Sequence, residues 1–91
     1  MNPPAVESRP RVAAGFRLQW EPAQECHVLL YPEGMVKLNQ SAGEILKRCD
    51  GAKDVNAIVS DLEDSFGATG LRDDVLAFLA IAMQQRWVEL A

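Results

Sequence analysis

From Phe16 the chain alternates, with Phe16, Leu18 and Trp20 on one side and Arg17 and Gln19 on the other. This is the period-two pattern of a half-buried strand, and Pro22 closes it. Residues 26–31, Cys-His-Val-Leu-Leu-Tyr, read as a second strand. The segment Tyr31-Pro32-Glu33-Gly34 then puts Pro at the second turn position and Gly at the fourth, as a type I turn prefers. The turn leads into a short third strand, residues 35–38, with Val36 and Leu38 on one face and Met35 and Lys37 on the other.

Helical signals follow. Ser41 and Glu44 have the spacing of a capping box, with Asn39 as a competing N-cap. Ala42, Ile45, Leu46 and Cys49 recur at helical spacing, and Gly51 can supply a left-handed residue at the C-terminus. Asp54 caps a second helix whose stripe is Val55, Ile58, Val59, Leu62 and Phe66, ended by Gly67. Residues 71–86 form a third and longest helix. Residues 1–10 hold Pro3, Pro4 and Pro10 and almost nothing large and apolar, so they read as a flexible tail ahead of a domain at 11–91. The order predicts an α+β, winged-helix-like fold, a three-stranded antiparallel sheet followed by three helices.

The third helix contains nine consecutive apolar residues, 75–83, more than one buried stripe requires. At 100° per residue Leu71, Val75, Phe78, Leu79 and Ala82 form a core-facing arc, and Leu76, Ala80, Met83 and Trp87 cluster on a neighbouring flank. The flank either packs on the sheet of the same domain or lines a groove. In a groove, Met83 is an adaptable filler and Trp87 a large amphipathic anchor. A groove beside an edge strand suits an extended peptide, which adds itself to the sheet while alternate side chains enter the apolar cleft. The edge is Met35, Val36, Lys37 and Leu38, although Lys37 equally guards an edge against aggregation. The candidate peptide-binding residues are therefore Met35, Val36, Lys37, Leu38, Leu76, Ala80, Met83 and Trp87.

Composition narrows the function. Ninety-one residues with 48% apolar and 24% charged positions make one globular domain. Nine Lys and Arg against 13 Asp and Glu leave a net charge of -4, which argues against binding nucleic-acid backbones. The third helix, with Arg72 and Arg86 against Asp73 and Asp74, would face phosphates poorly. No apolar run approaches the roughly 20 residues of a membrane span, and the start lacks a signal-peptide pattern, so the expected location is cytoplasmic with no membrane partner. Cys26 and Cys49 are expected to stay thiols there, Cys49 in the core.

Catalytic signals are weak. His27 and Cys26 are adjacent in a strand and point to opposite faces, which disfavours a Cys–His nucleophile and leaves His27 as a surface residue. No C-x-x-C, H-E-x-x-H or glycine-rich phosphate loop is present. Asp61, Glu63 and Asp64 read as a solvated helix face, and Asp73 and Asp74 suit the positive end of the third helix. The expectation is a binding module without catalytic residues, metal or cofactor.

Phe16-Arg17-Leu18-Gln19-Trp20-Glu21, then His27-Val28-Leu29-Leu30-Tyr31-Pro32-Glu33-Gly34-Met35-Val36-Lys37-Leu38-Asn39, resembles the PqqD family of pyrroloquinoline quinone biosynthesis. Further matches are Ser41-Ala42 with Ile45-Leu46, Asp50-Gly51, Asp74-Val75 with Phe78-Leu79, and Gln84-Gln85-Arg86-Trp87. The likeness runs from about Arg11 to the end. It implies a non-catalytic RiPP precursor peptide recognition element that binds the precursor peptide PqqA and presents it to the radical SAM enzyme PqqE. It also implies that peptide lies against the third strand and third helix, here residues 35–38 and the flank Leu76, Ala80 and Met83. Two other readings stand beside it: a self-associating scaffold, a homodimer through the third helices, and a protein binding the quinone itself.

Overall fold

The computed structural model describes residues 2–91; Met1, the first residue of the expected tail, lies outside the described residues. In chain order the elements are β1 (Pro10–Val12), β2 (Arg17–Glu21), β3 (Cys26–Tyr31), β4 (Gly34–Lys37), α1 (Gln40–Lys47), α2 (Val55–Phe66), α3 (Arg72–Gln84) and β5 (Val88–Leu90). β2, β3 and β4 form the expected antiparallel sheet with β3 in the centre, followed by the three expected helices.

Leu29 of β3 pairs with Leu18 on one side and Val36 on the other. This row is the inner face, because Leu29 is fully buried and Leu18 and Val36 pack on the same core. Across that core lie Leu46 of α1, Ile58 of α2 and Leu79 of α3, none more than 1% exposed. Burying each such side chain contributes about 1.5–3 kcal/mol, so these four residues tie the sheet to all three helices.

The helix ends largely follow local chemistry. The Asp54 side chain accepts from the Ala57 N–H at 2.8 Å. Gly67 takes the left-handed conformation at φ 59°, its N–H donating to the Glu63 carbonyl, a geometry that costs a residue with a Cβ about 1 kcal/mol. At α1, Asn39 is the N-cap, accepting from the Ala42 N–H at 2.8 Å. Ser41 therefore lies inside the helix, and the expected Ser41–Glu44 capping box is replaced. Glu44 instead binds Arg48, which also bonds Asp61 and so clamps α1 to α2. Gly51 lies beyond the end of α1 and donates its N–H to the Pro10 carbonyl.

Two strands were not expected from the sequence. β1 pairs antiparallel with β5, Pro10 opposite Leu90 and Val12 opposite Val88. The carbonyls of Val6 and Ser8 accept from the N–H groups of Asn56 and Val55, two of the donors that a helix leaves unpaired in its first turn. Pro4 and Pro10 are buried. The segment set apart as a tail is thus laid against the domain, because it supplies acceptors that α2 lacks and a partner for the chain end.

Candidate functional site

β4 pairs with β3 alone, so its far side is an open edge. The Leu38 N–H donates to the His27 carbonyl at 3.0 Å. Along an antiparallel ladder, residues that bond the partner alternate with residues that face away. Counting back from Leu38, Val36 and Gly34 bond β3, while Met35 and Lys37 direct their N–H and C=O groups to the open edge. Their side chains share the outer face, Met35 at 49% exposure and Lys37 also exposed. Val36 is half-buried on the inner face and Leu38 is buried in the core.

On α3, Leu76 and Met83 are half-buried against the core, as is Trp87 just after the helix. Trp87 donates its N–H to the Ala82 carbonyl, and its own carbonyl accepts from the Ala13 N–H. Ala80 is only 7% exposed and presents little surface to a ligand. The strand and helix groups therefore border one core, but α3 packs mainly on α2 and β5, and β4 on β3.

An open cleft of about 260 Å³ lies instead among the three helices. Buried Ile45, Leu62 and Val75 line it together with Phe66 and Leu71, and Glu44 and Asp74 add carboxylates. None of the eight sequence-derived site residues lines it. Phe66 was expected in the buried stripe of α2, but it is 49% exposed. It stands in the last position of the helix, past the reach of the core. The periodicity that found the stripe carries no signal of where the core ends.

Burial, then the neighbouring Asp50, pushes the Cys49 thiol up to about 12, and its Sγ donates to the Ile45 carbonyl. His27 is not a surface residue: it is half-buried, edge-on to Trp20 at 5.1 Å between ring centroids and close against Gly43 of α1. Its inner-face position on β3 turns it towards α1. Among the described residues no three His, Cys, Asp or Glu side chains converge as a metal site, and no helix is long and apolar enough to cross a membrane.

A three-stranded antiparallel sheet in which β4 is an edge strand, backed by three helices, defines the α+β class of a RiPP recognition element. The solution NMR structure of the PqqD truncation of Methylobacterium extorquens PqqCD, a functional and stand-alone recognition element of this kind, superposes with a TM-score of 0.74. It is 34% identical, over 88% of this chain and 87% of that one. The family model for coenzyme PQQ synthesis protein D matches residues 26–88, and the chain belongs to the PqqD family. The PqqA binding protein of Pseudomonas aeruginosa UCBPP-PA14 is 58% identical over 99% of both chains. That of Klebsiella pneumoniae is 57% identical over 81% of this chain and 82% of its own.

Proposed function

We propose that this chain binds the precursor peptide PqqA by strand addition along β4 and presents it to the radical SAM enzyme PqqE, itself catalysing no step. The observation that carries the reading is the open edge of β4, where Met35 and Lys37 offer unpaired backbone groups in a member of a family whose relatives are named for PqqA binding. Val36 and Leu38 face inward beside the core that Leu76, Met83 and Trp87 also border, so alternate peptide side chains are directed towards apolar surface. Each added backbone hydrogen bond contributes only about 0.5–1.5 kcal/mol net, so side-chain contacts supply most of the affinity, and binding in the micromolar range, near -8 kcal/mol, is expected. The protein acts in the cytoplasm, which the free thiols of Cys26 and Cys49 support.

Isothermal titration with synthetic PqqA, alone and with PqqE present, tests this directly. Saturable one-to-one binding, with NMR shift changes concentrated on β4 and α3, is the expected result. Absence of heat in both arms from a folded sample would overturn the reading. Sedimentation at dilute concentration would then decide for or against a self-associating scaffold.

A further inference from the structure

Lys37 is the only cation of β4, and it takes part in no ion pair among the described residues, whose paired cations are Arg11, Arg48 and Lys53. Its row across the outer face continues through Val28 to Gln19, so no carboxylate lies level with it in the sheet. The only direction in which a cross-strand partner can approach is from the open edge.

A strand laid antiparallel on that edge meets Lys37 in a hydrogen-bonded pair, because Lys37 directs both backbone groups outward. Opposed side chains in such a pair share a face and interact directly. The next residue of the incoming strand stands opposite Val36 in a non-hydrogen-bonded pair. Here the backbones approach to about 4.5 Å between Cα atoms, against about 5.5 Å at the hydrogen-bonded pairs, and side chains lie closer. That residue points to the inner face, beside half-buried Val36 and towards the core. An antiparallel chain passes Lys37 before Val36, which fixes the order.

Resting on the strand-addition reading above, we infer that the recognised peptide segment is an acidic residue opposite Lys37 followed immediately by a large apolar residue opposite Val36. Lys37 sets the register through charge, and the apolar residue supplies the buried contact. A peptide slipped by one position would put its apolar side chain in water and its carboxylate over the core.

The test titrates the full chain, wild type and Lys37→Glu, with synthetic PqqA and with PqqA peptides in which each Asp or Glu is replaced by Lys, one at a time. Circular dichroism establishes that the variant is folded, as expected for an exposed edge position. With the unmodified peptide at low salt, Lys37→Glu is expected to weaken binding about fivefold or more, since an attractive cross-strand pair becomes repulsive. One Asp or Glu to Lys peptide is expected to bind Lys37→Glu better than wild type. Replacing the residue after that position by Ser weakens binding to both proteins. If wild type binds PqqA but Lys37→Glu binds equally well, or no charge-reversed peptide is rescued, the inference is wrong while strand addition stands. If wild type fails to bind PqqA at all, both fall.

Discussion

Gly43 offers a sharp test of how α1 is seated on the sheet. A Cβ built on Gly43 would lie 2.7 Å from His27 Nδ1 and 3.1 Å from both Cβ and Cγ of His27. By helix propensity alone, Gly43→Ala should stabilise the protein by about 0.5–1 kcal/mol. The imidazole tip can rotate away, but the contact at Cβ can be relieved only by moving backbone, and such overpacking costs typically about 1–3 kcal/mol. The steric cost wins, and Gly43→Ala is expected to be destabilising by about 1 kcal/mol. For a domain of this size that lowers the melting temperature by about 4–8 °C. In a His27→Gly background all three close atoms are gone, so the same substitution should become neutral or stabilising. Urea denaturation of the four proteins of this double-mutant cycle measures the coupling. An unchanged or raised stability for Gly43→Ala in the otherwise wild-type chain would refute the described packing of α1 on β3.

Three further outcomes are expected. Leu76→Asp and Met83→Asp each place a charge on the half-buried flank of α3 and should weaken PqqA binding tenfold or more, about 1.4 kcal/mol; calorimetry on samples checked for native circular dichroism measures it, and undiminished affinity in both would remove the flank from the site. The Asp50 carboxyl is held well below its usual range by the backbone N–H groups of Lys53 and Ala52 and then by the Lys53 ammonium. A lowered value stabilises the fold above the unfolded-state value of about 4 and is lost as pH falls through the folded-state value; Asp50→Asn, which keeps an acceptor, should therefore be less stable than wild type near neutrality, with the gap closing in acid, as urea titrations across pH would show. A thiol reagent should modify Cys26 in the native protein and leave Cys49 unmodified until urea unfolds it, because burial keeps Cys49 protonated; equal labelling rates in native buffer would contradict its packing.

Elements built from near neighbours were legible in the sequence. The alternation from Phe16, the Tyr31-Pro32-Glu33-Gly34 turn, the Asp54 cap and the Gly67 stop each depend on residues a few positions apart, and each recurs in the structure. The β2-β3-β4 order and the exposed outer face of β4 follow from them, so the strand half of the candidate site could be read directly. The helix half could be read only as a pattern. Periodicity places Leu76, Ala80 and Met83 together, but it does not reveal that Ala80 is buried.

What the sequence alone determined is the α+β order and the hairpin whose last strand, β4, is an open edge. Tertiary structure decided everything that joins distant segments. Pro10 and Leu90 are too far apart in sequence for any local signal, and three-residue strands are too short for periodicity, so β1 and β5 emerge only once the core brings the chain ends together. The first-turn donors of α2 could have gone to water, but the carbonyls of Val6 and Ser8 take them because the segment continues into β1, which the pairing with β5 holds beside the domain. Phe66 and His27 exchange their expected environments for the same reason. Burial is a property of the assembled layers, and a residue's spacing fixes its direction on an element without fixing what lies opposite.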